Sequence, residues 1–256
     1  MDDKNKKYLY ANFKQCHQGI KEGNLFAKSR MAILLLNQND YNNISEAYSL
    51  VIAVAKEDPL ALHTTFKAAR DKGDIGAHYG LFLIWEQGIG APQNTKIASK
   101  YLIHAAQNGY TIAELTLGKR LGTSHYNHNQ APDYKKAKKY LTKAANKGLA
   151  DAHTELYHIL IEENNNRLCG QALNHLLTAI TTSAGQYELS IIVDLYQNGK
   201  LVEKDISKVA LWMNISYELG FRGKDELDEV MSHLNQNEKC TVKDKALGWL
   251  KENKYK

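Results

Sequence analysis

The chain has 256 residues, 43% of them apolar and 24% charged, with a formal net charge of +5. A balance this mild does not mark a nucleic-acid binder, and the longest apolar runs, Met31 to Leu36 and Leu50 to Ala55, are far too short to span a bilayer. Cys16, Cys169 and Cys240 are odd in number and widely separated, which excludes a disulfide framework and favours a reducing compartment.

The N-terminus, Met-Asp-Asp-Lys-Asn-Lys-Lys, is polar and no apolar core of a secretory signal follows it, so a cytoplasmic location is expected. Residues 1–23 read as an N-terminal cap whose helix covers Tyr8 to Lys21. Leu25 to Leu36 reads as an apolar helix. Asn43-Ile-Ser-Glu46 has the spacing of a capping box in front of Ala47, Leu50, Val51 and Val54. Leu60 to Lys72 supplies one further helix ending at Gly73, too short for a complete pair, so 24–73 is a divergent repeat with an extra helix.

From residue 74 a grammar sets in. Ala77, Leu81, Phe82 and Trp85 lie at helical spacing and stop at Gly88-Ile-Gly90, whose glycines tolerate the positive φ that ends a helix. Pro92 sits in the loop and Asn94 is placed to cap a second helix, whose buried face reads Ala98, Tyr101, Leu102, Ala105 and Ala106 before Asn108-Gly109 closes it. The unit 111–149 repeats this with Ala113, Leu117 and Gly118, then Pro132, Asp133 as cap, and Ala137, Tyr140, Leu141, Ala144, Ala145 and Gly148; its extra residues fall in the polar loop from Ser124 to Gln130. The unit 150–185 has Ala152, Leu156 and Leu160, then Ala172, Leu176 and Ala179, but its loop from Glu162 to Arg167 lacks the glycine pair. The unit 186–220 recovers the pattern with Ile192, Tyr196 and Gly199, then Asp205 as cap, Trp212 and Gly220. Two amphipathic helices, Lys224 to Leu234 and Val242 to Lys251, close the chain within 221–256, because the end of a repeat array must cover an otherwise open core.

The endings Lys67-Ala-Ala-Arg-Asp-Lys-Gly73, His104-Ala-Ala-Gln-Asn-Gly109 and Lys143-Ala-Ala-Asn-Lys-Gly148 recur at about 36 residues, the mark of a solenoid. The order Ala-x-x-x-Leu-Gly, aromatic, Gly-x-Gly, Asp-x-x-Lys-Ala, aromatic, Lys-Ala-Ala-x-x-Gly resembles the Sel-one-like repeat (SLR) family, relatives of tetratricopeptide repeats. Gly88, Gly90, Ala98, Tyr101, Ala105, Ala106 and Gly109 carry the resemblance in one repeat. Leu117, Gly118, Asp133, Lys136, Ala137, Tyr140, Lys143, Ala144, Ala145 and Gly148 carry it in the next. Phe82 stands where the pattern wants a small residue, and Glu188 where it wants alanine. The resemblance implies an all-α, right-handed α/α superhelix of helix-turn-helix repeats, an adaptor of the kind found in bacterial envelope, secretion and signalling systems.

The chemistry-bearing residues point the same way. The lysines at 135, 136, 138, 139, 143 and 147 fall on one predicted helix, read as its solvated face. His125-x-x-His128 and the pair His153 and His158 lack the spacing of a helical zinc pair, and Gly88-Ile-Gly90 follows a helix and has no Lys-Ser/Thr behind it. No Gly-x-Ser-x-Gly, Ser-x-x-Lys or His-Glu-x-x-His occurs, so no catalytic residue, metal ligand, cofactor or small-molecule substrate is assigned and the chain is not read as an enzyme. A hydrolase of the envelope would need export signals or disulfides. The expected function is a protein-interaction scaffold binding a protein or peptide in a concave groove, the alternative an immunity-type or regulatory inhibitor of one cognate toxin or enzyme. The resemblance places the first helix of each pair along that groove, which gives the candidate contact residues Tyr79, Glu86, Lys119, Thr154, His158, Glu162, Tyr187, Asp194 and Gln197, with Tyr187 the first choice as anchor.

Overall fold

A computed structural model describes residues 3–123, 131–163, 169–183 and 185–255, with side chains from residue 11 onward. Among these residues the chain is entirely helical, and it divides into two compact units, Met1–Ala144 and Ala145–Lys256. The loop stretches 124–130 and 164–167, with the His125 and His128 pair, lie outside the described residues.

The first unit holds α1 (Asp3–Lys21), α2 (Leu25–Asn37), α3 (Asn42–Glu57), α4 (Pro59–Asp71), α5 (Ile75–Gln87), α6 (Thr95–Gln107), α7 (Thr111–Gly122) and α8 (Tyr134–Ala145). Consecutive helices pack as pairs, α2 on α3 and α5 on α6, while α4 lies against α2, α3 and α5. The helix α4, which ends in Lys-Ala-Ala like the second helices of the later repeats, thus stands between the pair α2 and α3 and the helix α5. A single core runs through the unit, with Met31, Leu36, Leu62, Phe66, Leu81, Ile84 and Leu102 fully enclosed.

The helix starts are set locally in most cases. Asn94 accepts from the Ile97 amide at 3.0 Å, Asp133 from Lys136 at 3.0 Å and Asp58 from Ala61 at 2.9 Å, with Pro59 at the first position of α4. The helix α5 ends on Gly88 in the left-handed region, φ 68°. The capping box expected at Asn43 to Glu46 does not form: α3 starts at Asn42, Asp40 bonds the Asn42 amide at 3.0 Å, and the Asn43 side chain donates to Gln38 instead. A true capping box occurs where none was expected, between Asn235 and Glu238.

Among the helices that start without a capping side chain, α5 and α7 borrow one from elsewhere. Neither Asp74 nor Tyr110 bonds an amide of the helix it precedes, α5 and α7. Their free amides are satisfied from the far end of α2, where Asn37 accepts from Gly76 N at 2.9 Å and Asn39 accepts from Thr111 N at 2.9 Å. Asn39 also donates to Thr111 Oγ1 at 3.0 Å, and it holds φ 55°, a conformation asparagine reaches more readily than most residues. The Tyr110 hydroxyl donates to Leu36 O at 2.8 Å beside them.

Small residues let these helices close up. A Cβ on Gly118 of α7 would stand 2.6 Å from Leu141 Cγ and 3.3 Å from Leu141 N of α8. In the preceding repeat the same position is Phe82, which turns toward α7, packs against the Tyr79 ring at 5.3 Å and carries the Arg120 guanidinium 4.9 Å above its centre. The departure from the pattern thus fills space rather than disrupting the pair.

The second unit holds α9 (Ala150–Glu162), α10 (Cys169–Thr182), α11 (Gln186–Asn198), α12 (Ile206–Glu218), α13 (Lys224–Ser232) and α14 (Gln236–Glu252). The pairs are α9 with α10 and α11 with α12, and α13 and α14 close against α12. Leu176, Ile180, Leu189, Ile192, Ile215, Ala246 and Leu250 form its enclosed core, with Trp212 edge-on to Trp249 at 5.7 Å. Asp205 caps α12 through the Lys208 amide at 3.0 Å.

Candidate functional site

In the first unit the expected contact residues of α5 and α7 are largely committed to structure. Tyr79 is only 5% exposed, stacked on Tyr110 at 5.1 Å, and its hydroxyl pairs with the Thr116 side chain. Burial raises its pKa. This corrects the expectation of an open groove residue: the turn of α5 that holds Tyr79 faces α7 and Tyr110, and closing the pair covers the ring. Glu86 is held by Arg120 through Nη2 to Oε1 at 2.6 Å and Nη1 to Oε2 at 3.4 Å, both side chains mostly buried. Lys119 is exposed. A residue that the sequence reading passed over joins them: Tyr41, in the turn before α3, is 53% exposed and close enough to Tyr79 to raise its pKa. Nothing in the local pattern marks Tyr41, because the α2 to α3 turn lies outside the repeat grammar.

The second unit presents a more open face on its first helices, α9 and α11. Thr154 is buried, contrary to expectation, and its hydroxyl donates to Glu188 Oε1 at 2.9 Å, tying α9 to α11. Glu188 stands where the repeat pattern has alanine, and this bond is what the exchange supplies. One turn on, the Tyr187 hydroxyl and His158 Nε2 are hydrogen-bonded at 3.0 Å, with their rings 5.9 Å apart. Tyr187 is nonetheless 56% exposed. Asp194 and Gln197 are exposed further along α11, Asp194 bonded to Asn198 and 3.6 Å from the Lys200 ammonium, and Glu162 is exposed at the end of α9. Tyr187 and Asp194 both lie near enough to the buried Tyr157 to add to the rise in its pKa that burial causes first. The two helices carry Asp151, Glu155, Glu162, Glu188 and Asp194 and neither lysine nor arginine. Against a chain of net charge +5, this face is locally acidic.

The described histidines of α9 and α10 pair with different partners. His153 Nδ1 lies 2.9 Å from His175 Nδ1 of α10. Burial lowers the pKa of both rings of that pair, and His153 lowers that of His175 further. His175 occupies the position that Tyr101 and Tyr140 hold in earlier repeats. Among the described residues no group of three or more His, Cys, Asp or Glu side chains is arranged to hold an ion. The lysines of α8 lie mainly on its exposed face, with Lys136 paired to Asp133 at 2.9 Å and Lys143 over the Tyr140 ring at 5.7 Å. No described helix is long and apolar enough to cross a membrane.

A profile of the Sel1 repeat matches residues 75–110, 120–149 and 183–221. The chain carries three Sel1 repeats. The Sel1 profile passes over α9 and α10, the pair whose loop lacks the glycines, although they pack against each other in the second unit. No curated protein gives a match to this Sel1-repeat chain. The crystal structure of a Sel1 repeat protein from Oxalobacter formigenes is similar, with a TM-score of 0.52 at 20% identity over 78% of this chain and 81% of that one. Another similar structure is c5321, a protective antigen present in uropathogenic Escherichia coli strains and displaying an SLR fold. It has a TM-score of 0.43 at 14% identity over 96% of this chain and 65% of that one. The Oxalobacter likeness speaks for the fold.

Proposed function

We propose that this Sel1-repeat protein is a non-catalytic scaffold that binds a protein or peptide partner on the α9 and α11 face, with Tyr187 as its anchor. Sel1 repeats generally serve as protein-interaction scaffolds. The observation that carries the reading is Tyr187, 56% exposed yet held in one orientation by His158 at 3.0 Å. A large aromatic side chain that is exposed and already ordered loses little entropy on binding, which is what an interface hot spot requires. The two helices that carry it contribute carboxylates and neither lysine nor arginine, so the partner segment is one that brings lysine or arginine, whose cation can also sit over the tyrosine ring.

The test is affinity capture from the native cell extract with the parent protein, Tyr187→Ala and Lys139→Ala, read by quantitative mass spectrometry and followed by calorimetry on the captured partner. A partner lost with Tyr187→Ala, retained with Lys139→Ala and released by salt supports the reading. A partner that Lys139→Ala loses and Tyr187→Ala keeps moves the site to the basic face of α8 and refutes it.

A further inference from the structure

The first unit carries a groove whose charge is opposite to that of the α9 and α11 face. Between α1 and α2 lies a groove of about 770 Å³, its floor made by Cys16 and Ala27 and its walls by Lys14, Lys21, Phe26 and Arg30. A smaller hollow of about 370 Å³ continues on the other side of Phe26 and Arg30, reaching Ile33, Lys72 and Asp74. Phe26 forms the ridge between the two and is 57% exposed.

We propose that this groove docks an acidic peptide segment carrying a large apolar side chain. Across the two hollows cations outnumber carboxylates, Lys14, Lys21, Arg30 and Lys72 against Glu22 and Asp74. Lys14 and Lys21 have no ion-pair partner among the described residues, Arg30 is bonded only to the neutral Asn12 side chain at 3.2 Å, and the one carboxylate on the wall of the larger hollow, Glu22, already accepts from Gln18 at 2.6 Å. Three cations around an apolar floor attract carboxylates, while the floor and the Phe26 ring reward an apolar side chain laid between them. A flat lipid surface does not reach Cys16, which is buried beneath the rim. The extended hollow on both sides of Phe26 suits a chain rather than a single small anion. Nothing in this inference depends on the α9 and α11 face.

The experiment is fluorescence anisotropy on the full chain with a fluorescein-labelled peptide of alternating glutamate and leucine with one central phenylalanine. Controls are the same peptide with glutamine for glutamate, one with serine for its apolar residues, and a single-stranded oligonucleotide of equal charge. The acidic probe binds the parent, Phe26→Ala weakens it about tenfold or more, and Lys14→Gln with Lys21→Gln weakens it and flattens its salt dependence. Tyr187→Ala binds as the parent does. Circular dichroism melting shows that each variant folds. The proposal is overturned if the acidic probe does not bind, if the glutamine or serine peptide or the oligonucleotide binds as tightly, or if the Phe26 and lysine variants keep the parent's affinity. Loss of the probe with Tyr187→Ala alone overturns it too, and leaves the scaffold reading of the other face standing.

Discussion

Gly118→Ala sets two known effects against each other at one atom. An alanine in a helix interior is favoured over glycine by about 1 kcal/mol. Here the added Cβ meets Leu141 at 2.6 Å from Cγ, the branch carbon rather than a free end, and 3.3 Å from its backbone nitrogen, and Leu141 is fully buried. Neither atom can swing away, so α7 and α8 must separate, and overpacking of this kind costs about 1–3 kcal/mol. With the contact on the rigid part of the side chain the upper half of that range applies, which leaves a net loss of about 1–2 kcal/mol after the helix gain is subtracted. For a chain of this size that lowers the melting temperature by about 2–8 °C. Gly248→Ala is the control: it lies within α14, and a Cβ there meets nothing within 4 Å. That variant melts higher than the parent. Differential scanning calorimetry compares the three proteins, and a Gly118→Ala melting temperature equal to or above the parent's would refute the close approach of α7 and α8.

Ala144→Leu, at a fully buried position of α8, destabilises by roughly 1–3 kcal/mol, and an unchanged melting curve would mean that the register of that repeat is wrong. The three cysteines are free thiols and should alkylate in the order of exposure, Cys240 first and Cys16 last, since Cys16 is buried and burial pushes its thiol pKa up; mass spectrometry of the time course reads this, and a bridged pair contradicts it. Stability should fall on acidification, because burial lowers the pKa of His63, His78, His153 and His175 from the ordinary 6.5, so the unfolded chain takes up protons first. Their contribution is complete above pH 6.5 and is lost as the pH drops through the lower folded values; His175→Tyr, which restores the repeat's usual aromatic, should reduce the slope in urea titrations below pH 6.5.

What the sequence disclosed follows the range of the interaction. Asn94, Asp133 and Asp205 were legible as caps because a capping side chain and its amide are three residues apart. The alanines at 98, 105 and 144 were legible as core because a helix face repeats within a turn. Asn43 failed by the same logic: its spacing to Glu46 is right, but Asp40 reached the chain first, a competition no spacing rule records. Tyr79 is the fifth residue of α5 and Tyr187 the second of α11, and what lies opposite them differs, a second tyrosine in one case and solvent with one histidine in the other. The Asn39 to Thr111 bond and the His153 to His175 contact join residues far apart in sequence, and nothing short of the packed helices brings them together.

The amides of Gly76 and Thr111 rest on Asn37 and Asn39, residues of a segment that the Sel1 profile does not match. A fragment begun at Ile75 would contain every residue that marks the first matched repeat, and would start two of its helices with bare donors. The stretch that repeats is therefore shorter than the stretch that satisfies its own backbone, and the first matched units lean on side chains of the degenerate segment before them.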